Sequence, residues 1–280
     1  MEAAATLKPR KRFNFRGSLC MPYGVFMALF VIFPLLLILY YAFTDDAGNF
    51  SVTNWGTVFS SAHNWKVIGD TLIISALTTI FCLLIAYPIA YILSNSKLNK
   101  NKVLVYIFLL PMWINFVIRT LALKALVNNV IQGIFGIVLT VKYPFVAIII
   151  GMVYDYLPFA ILPLYNQMLK MDKNQIEAAA DLGANPVQVF TRTIIPMTVP
   201  GIISACTMTF MPTMSSYVIV NQMSERTTQI VGNLIQHQFE LTHYNIGSIL
   251  SIIMLMIIGI SLLVEKAIDR KSDQKKGGIW

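Results

Sequence analysis

Charged residues are scarce in this sequence. They make up 12% of the 280 residues, while hydrophobic residues make up 56%. Soluble domains contain about 25% charged and about 45–50% apolar residues, and disordered chains contain far fewer apolar residues. Because a soluble surface needs about twice as many charges to cover it, the composition excludes both classes. It predicts a polytopic membrane protein.

Residues that bind metals or form disulfides are also few. The chain has three cysteines, which are far apart in sequence, and three histidines: Cys20, Cys82, Cys206, His63, His237 and His243. Their number and spacing fit neither a disulfide framework nor a metal site, so we predict no metal ligands. A G-x-x-x-x-G-K-[ST] motif is absent as well. Its absence excludes phosphate binding in the P-loop manner, so we predict that the chain itself hydrolyses no ATP.

Long apolar stretches are abundant instead. Six of them are long enough to cross a bilayer core of about 30 Å: Pro22 to Phe43, Thr71 to Leu93, Val103 to Leu126, Pro144 to Leu164, Pro200 to Val220 and Ile246 to Val264. They predict an all-α protein with six transmembrane helices. Two further segments are candidates for the membrane surface: Asn128 to Leu139 is predicted to be interfacial or re-entrant, and the amphipathic segment Gln229 to Leu241 is predicted to lie on the outer side.

The distribution of Lys and Arg predicts the orientation. With a cytoplasmic N-terminus, 16 of the 21 cations fall in the N-terminal segment, residues 97–102, the loop after span four and the C-terminal segment. Both termini and residues 165–199 are then cytoplasmic. The chain divides into a basic segment 1–21, a transmembrane domain 22–265 and a basic tail 266–280. Attraction to membrane lipid accounts for the basic ends, so we predict no nucleic-acid partner.

The cytoplasmic segment between spans four and five carries strong helix signals. Asn174-Gln175-Ile176-Glu177 fits a capping box, Ala178 to Ala180 favour a helix, and Gly183 is typical of a helix C′ position. Asn185-Pro186-Val187-Gln188 offers a second N-cap, and Pro196 is expected to end that helix. We predict two short helices that meet at a glycine corner outside the membrane. From the residues alone, this corner is either a surface connector or a docking element.

Part of this segment resembles the EAA loop of permease subunits of binding-protein-dependent ABC importers. The residues in register with that motif are Glu177, Ala178, Ala179, Gly183 and Pro196. Thr193 and Ile195 stand where the family usually has Ile and Leu. The resemblance implies the type I ABC importer permease fold, with residues 172–196 coupling the spans to a cytoplasmic ATPase. ATP and Mg are then bound by that partner, and this chain holds no cofactor.

Two ionisable residues lie within the predicted spans and are functional candidates. Asp155 is near the middle of span four, between Tyr154 and Tyr156, and Arg119 is in span three. One interpretation is that Asp155 and Arg119 pair, with each other or with a neighbouring subunit, to hold the bundle together. The other is that Asp155 faces a water-filled path, where its charge and the two tyrosine rings attract an organic cation.

A second resemblance concerns the substrate. Pro111-Met112-Trp113-Ile114-Asn115 with Arg119 is similar to the first permease subunit of spermidine/putrescine importers, and the likeness spans most of the chain. It implies a multi-pass protein of the bacterial inner membrane that works with a second, homologous permease, two ATPase copies and an extracellular polyamine-binding protein. The candidate pathway residues are Trp113, Arg119, Tyr154, Asp155, Tyr156 and Tyr217. Tyr217 belongs to a polar stripe in span five that fits helix packing equally well.

Other functions remain open at this point. An ABC importer subunit for another small solute shares most of these features. A secondary transporter would use an ion gradient and would not need the cytoplasmic helix pair. A scaffolding membrane subunit would have no substrate pathway.

Overall fold

The computed structural model describes residues 21–45, 47–95 and 103–277, and these residues are nearly all helical. The helices are α1 (Met21–Ala42), α2 (Thr53–Ser60), α3 (Ala62–Asn95), α4 (Val103–Leu109), α5 (Phe116–Phe135), α6 (Leu139–Lys142), α7 (Pro144–Leu169), α8 (Lys173–Asp181), α9 (Pro186–Ser215), α10 (Tyr217–Met223), α11 (Val231–Glu240) and α12 (Tyr244–Gly277). A 3₁₀ turn, Leu110–Trp113, follows α4. Wider π turns lie inside α1 and α9.

Five of these helices, α1, α3, α7, α9 and α12, are long and apolar enough to cross a membrane. The remaining predicted span, span three, is a bent pair: α4 with its 3₁₀ turn meets α5 at an angle of 99°. The six-span fold is therefore confirmed, with one correction. Val103 to Leu126 is not a single straight helix, because Pro111 and Asn115 interrupt it.

The segment predicted at Asn128 to Leu139 is not separate from span three, while its interfacial or re-entrant position stays a prediction. Helix α5 runs through these positions and ends at Phe135, where Gly136 takes a left-handed conformation (φ +67°). Hydropathy alone separates the segment from span three because Asn128 and Asn129 interrupt the apolar run, whereas the helix continues past them.

Helices α3, α7 and α9 form the centre of the bundle. Their contact surface is built from small side chains such as Ala86, Ala160 and Ala205, which are fully buried. Small residues let helix backbones approach closely in a membrane. One close approach is at Gly201 of α9, where an added Cβ would lie 2.6 Å from Cβ of Gln167.

Helices α1 and α12 flank this centre as an antiparallel pair. The end of α1 meets the start of α12 through the rings of Tyr41 and Tyr244, whose centroids are 5.6 Å apart. Towards the other end, Thr207 of α9 donates a hydrogen bond to Glu265 of α12. The start of α1 and the end of α12 therefore lie at the same end of the bundle as residues 172–196.

Several sequence predictions fall outside the described residues. They concern the basic segment 1–20, the cations Lys97, Lys100 and Lys102, and the last three residues, 278–280.

Candidate functional site

The break between α4 and α5 arises from the backbone properties of residues 111–115. Pro111 has no N–H to donate, and Ile114 is extended (φ −80°, ψ 139°). The side chain of Asn115 then accepts a hydrogen bond from the Val117 N–H at 2.9 Å and caps the start of α5. The chain thus ends one helix and starts another within two residues.

A buried ion pair joins this break to α7. Nε of Arg119 donates to Oδ1 of Asp155 at 2.6 Å, and the two side chains are 8% and 3% exposed. Nη1 of Arg119 donates to the Pro111 carbonyl oxygen at 2.7 Å. Oγ1 of Thr120 donates to the second carboxylate oxygen, Oδ2, at 2.7 Å. Both oxygens of Asp155 are therefore engaged, as a buried charge requires.

A cavity of about 430 Å³ lies beside this pair, between α5, α7 and the junction of α9 with α10. Arg119 and Asp155 form one part of its wall. The rings of Phe116, Tyr156 and Tyr217 also line it, together with serine hydroxyl groups. The Tyr156 hydroxyl is hydrogen-bonded to Ser216 Oγ at 2.7 Å, across the α7–α10 contact. The cavity offers aromatic faces and hydroxyl oxygens, which are groups that bind ammonium ions.

Four of the six predicted pathway residues meet at this cavity: Arg119, Asp155, Tyr156 and Tyr217. Tyr154 does not, because it leaves α7 on another side and lines a separate apolar groove with Phe81 and Leu123. Trp113 is 86% exposed on the 3₁₀ turn and is not part of the lining. Neither side chain is part of this cavity's wall, and their role in the substrate pathway stays a prediction.

Several residues of the site escaped the sequence reasoning. Phe116, which lines the cavity, and Thr120, which binds Asp155, share one face of α5 with the predicted Arg119, at helical spacing of three and four. This spacing can be read from the sequence, but its significance depends on Asp155, which lies 35 residues from Thr120 and meets it only in the folded chain. Met112 and Phe159 also line the cavity without a distinctive pattern.

The polar stripe of span five serves both of its proposed roles. Thr209 and Thr213 are fully buried and donate to carbonyl oxygens of their own helix. Beyond them, Pro212, Ser215 and Ser216 line the cavity. The predicted span Pro200 to Val220 is wrong at its end, because α9 stops at Ser215 and α10 begins at Tyr217.

Residues 172–196 form the predicted glycine corner. Helix α8 ends at Asp181, and Gly183 has φ +87°. The Gly183 N–H donates to the Ala180 carbonyl and the Ala184 N–H to the Ala179 carbonyl, which is the Schellman arrangement. Asn185 and Gln188 then form a reciprocal capping box at the start of α9.

Two details of this loop differ from the sequence predictions. The cap of α8 is Asp172, which accepts from the Asn174 N–H at 3.0 Å, so Asn174 and Glu177 do not form the capping box. Pro196 does not end a helix either. A π turn, Phe190–Ile194, precedes it, so the missing N–H of Pro196 is accommodated and α9 continues into the bundle.

The surface of the corner is exposed and partly apolar. Leu182 is 89% exposed and Val187 is 70% exposed, one on either side of Gly183. Glu177 and Ala178 are exposed on α8, and Ala179 is half-buried.

The segment between α10 and α12 contains the predicted amphipathic helix, α11. Its buried side includes Val231, whose N–H donates to Thr71 Oγ1 at 2.9 Å. Nearby, Lys124 and Glu225 form an ion pair at 2.6 Å, with exposures of 22% and 45%. The hydrogen bond from Lys124 lowers the pKa of the Glu225 carboxyl below its ordinary value.

Proteins of known identity resemble this chain over most of its length. The spermidine/putrescine transport system permease protein PotB of Haemophilus influenzae is 34% identical over 264 residues, covering 88% of this chain and 92% of that protein. The protein of the same name from Escherichia coli K12 is 31% identical over 264 residues, covering 89% and 96%. No protein-family model matches the chain.

Solved structures share the fold. A chain of a bacterial ABC transporter involved in the import of the acidic polysaccharide alginate has a TM-score of 0.76 at 17% identity, covering 91% of this chain and 95% of that chain. A chain of the MetNI methionine ABC transporter has a TM-score of 0.54 at 21% identity, covering 74% and 94%. These likenesses confirm the predicted fold, that of an ABC importer permease.

The sequence relationship decides the family. The two relatives named above are more than 30% identical to this chain, and the chain covers more than nine-tenths of each. The described helices are long and apolar enough for a multi-pass membrane protein. The chain belongs to the family of the spermidine/putrescine transport system permease protein PotB.

Proposed function

We propose that this chain is the transmembrane permease subunit of an ATP-driven polyamine importer in the bacterial inner membrane. The observation that carries the proposal is the relationship to spermidine/putrescine permeases along about nine-tenths of both chains. In this role the chain is a transport subunit and not an enzyme. It forms half of the translocation pathway for spermidine or putrescine.

The partners follow from this role. A second, homologous permease completes the pathway, and two copies of a cytoplasmic ATPase bind ATP and Mg. An extracellular polyamine-binding protein delivers the substrate. The alginate transporter, which shares the fold, has been solved in complex with a periplasmic protein that carries an alginate pentasaccharide.

The glycine corner is the proposed contact with the ATPase. Leu182 and Val187 are exposed apolar side chains at its tip, and such side chains are typical of surfaces that another protein covers. Glu177, Ala178, Ala179, Gly183 and Pro196 are the residues of the coupling element. We place this loop and both termini in the cytoplasm, because the Lys and Arg distribution favours that orientation.

The cavity is the proposed section of the substrate pathway. Its aromatic rings and hydroxyl groups suit an aliphatic polyamine, whose ammonium groups bind ring faces and oxygen acceptors and whose methylene groups pack on apolar walls. Tyr156 and Tyr217 are the lining residues with both a ring and a hydroxyl group. Trp113 is the exposed aromatic side chain next to the break, available to the second permease.

Reconstitution tests the whole proposal. We expect the complex of this chain with its second permease, ATPase and binding protein in liposomes to take up radiolabelled spermidine only with ATP, and excess unlabelled putrescine to compete. Methionine and alginate oligosaccharide serve as competitors of unrelated chemistry and are expected to have no effect.

Two outcomes would contradict the proposal. Uptake that follows a proton gradient and ignores ATP would indicate a secondary transporter. Spermidine uptake that methionine or alginate oligosaccharide abolishes would indicate an importer for another solute.

A further inference from the structure

Helix α4 packs on the core through Val105 and Leu109, but the polar contacts described at its bend with α5 are mostly local. The Ile114 N–H donates to the Pro111 carbonyl at 3.2 Å, and the Asn115 cap fixes only the first turn of α5. The Arg119 side chain is different, because it reaches back to the Pro111 carbonyl on the far side of the bend. One guanidinium group therefore ties both sides of the break together.

The same side chain also ties the break to the centre of the bundle. Its Nε binds Asp155 of α7, and Thr120, on the same face of α5, binds the other carboxylate oxygen. Three hydrogen bonds thus join Pro111, α5 and α7 through two adjacent residues. The cavity wall contributed by Met112 and Phe116 lies between these fixed points.

Asp155 is held by the protein on both of its oxygens and is almost fully buried, which leaves a substrate ammonium group little access to it. Each carboxylate oxygen has a donor at 2.7 Å or less, and the side chain is 3% exposed. A substrate cation would have to displace a buried guanidinium group, which would then lose its own counter-charge. Such an uncompensated buried charge is strongly unfavourable.

We propose that Arg119 is a positioning residue of the transport pathway. It holds the α4–α5 bend at its angle by bridging the Pro111 carbonyl and Asp155, an arrangement called the clamp below. Asp155 is part of the clamp and does not bind substrate. Recognition of the cation then belongs to the aromatic and hydroxyl groups of the cavity. The proposal rests on the proposed function for its transport readout, but the clamp itself does not depend on which solute is carried.

A double-substitution cycle distinguishes the clamp from substrate binding. Asp155→Asn leaves Arg119 charged and unpaired in a buried site, and Arg119→Gln leaves Asp155 in the same state, so each is expected to lower spermidine uptake at least about tenfold. The double variant Arg119→Gln/Asp155→Asn removes both charges and keeps amide groups that can bond each other. We expect uptake to recover above that of both single variants, to about the level of Arg119→Lys, because the amide pair restores charge balance but not the bond to the Pro111 carbonyl; KM for spermidine is expected to stay within about twofold of the wild type.

Two outcomes of this cycle would overturn the proposal. If the double variant is as impaired as Asp155→Asn and its KM is raised about tenfold, Asp155 contacts the substrate. If both single variants transport spermidine normally, transport does not require the Arg119–Asp155 pair.

Arg119→Lys separates bridging from simple charge balance. Lysine keeps the positive charge, but its single ammonium nitrogen cannot reproduce the fixed spacing of Nε and Nη1 that serves Asp155 and Pro111 together. We expect uptake to fall roughly three- to tenfold while KM changes less than about twofold. Full activity would mean that Arg119 only neutralises Asp155. Thr120→Val, which removes the third bond without changing charge, is expected to lower uptake in the same direction but less.

The Lys124–Glu225 pair is the matched control. It has the same 2.6 Å separation but is half-exposed, so Lys124→Gln, Glu225→Gln and their combination are expected to leave uptake within about twofold of the wild type. A tenfold loss in these variants would show that any ion pair of the chain is equally sensitive and would overturn the special role of Arg119.

Thermal unfolding of the purified complex keeps the test independent of the substrate. Asp155→Asn and Arg119→Gln are each expected to lower Tm by several degrees, and the double variant to restore most of the loss. If the wild-type complex carries no spermidine, the proposed function fails while this Tm series still reports on the clamp. Additive losses in the double variant would overturn the clamp.

Discussion

The glycine corner and the cavity are built in different ways. At the corner, the contacts that set the shape join residues close in sequence, such as Gly183 with Ala180 and Asn185 with Gln188. At the cavity, the contacts join residues far apart in sequence. Asp155 pairs with Arg119, 36 residues away, and Tyr156 is hydrogen-bonded to Ser216, 60 residues away. The corner therefore depends on the conformation of single residues, and the cavity depends on how helices are placed against one another.

The largest expected effect comes from the corner. Gly183→Val puts a β-branched residue at φ +87°, a conformation that such residues avoid. No atom lies within 4 Å of the position of an added Cβ, so the strain is conformational and not a clash. We expect ATP-dependent spermidine uptake to fall at least about tenfold, with membrane insertion unchanged, because strain of about 1–3 kcal/mol displaces the corner.

Two controls define that result. Gly133→Val also adds a side chain to open space, but within helix α5, and is expected to leave uptake near the wild-type value. Gly183→Asn is expected to retain most uptake, since asparagine tolerates the left-handed conformation. Normal uptake by Gly183→Val would show that the corner needs no special backbone conformation.

A medium effect is expected where helices approach closely. Gly201→Val would place Cβ 2.6 Å from Cβ of Gln167 and 3.3 Å from the Pro163 carbonyl oxygen. Because neither atom is the end of a flexible side chain, α7 and α9 must separate, at a cost of about 1–3 kcal/mol. The measurement is Tm of the purified complex, together with the amount of assembled protein in the membrane.

Gly259→Val on α12 is the matched control, because nothing lies within 4 Å of its added Cβ. Its Tm is expected to stay close to that of the wild type. Equal Tm values for the two variants would contradict the view that the α7–α9 distance is set by Gly201.

The smallest effect is expected at the half-exposed ion pair. Lys124 lowers the pKa of Glu225 from its ordinary value of 4.5, so the pair's stabilisation is fully present above pH 4.5 and is lost as pH falls through the lowered pKa. The contribution is less than about 1 kcal/mol after solvent screening. Between pH 6 and pH 3, wild-type Tm is expected to fall slightly more than that of Glu225→Gln.

Lys124→Gln provides the comparison, since it removes the cation that lowers the pKa of Glu225 and keeps the carboxyl group. Between pH 6 and pH 3 its Tm is expected to fall by about as much as that of Glu225→Gln. If Tm of Glu225→Gln falls with pH in parallel with that of the wild type, the ion pair makes no measurable contribution to stability.

Sequence patterns predicted the corner well because its signals are local. Gly183 and the Asn185–Gln188 box were correct, since each depends on residues within a few positions. The errors there concerned which residue caps α8 and how Pro196 is accommodated. Asp172 competes with Asn174 as a cap only two residues away, and a π turn that absorbs a proline has no clear sequence signal.

The cavity could be predicted only in part. Asp155 and Arg119 stood out because charge within an apolar span is costly. Tyr154 and Tyr156 stood out equally, yet residues two positions apart on a helix point about 200° apart, so only Tyr156 lines the cavity. No local pattern tells which side of a uniformly apolar helix faces a neighbour.

The sequence by itself determined the membrane-spanning class, the number of spans and the exposed corner between α7 and α9. These follow from apolar length and from backbone preferences that act over a few residues. The tertiary structure alone decided the 99° bend, the pairing of Arg119 with Asp155 and Pro111, and the wall of the cavity. They depend on which helix faces meet, and that is settled by close packing of small residues across distant parts of the chain.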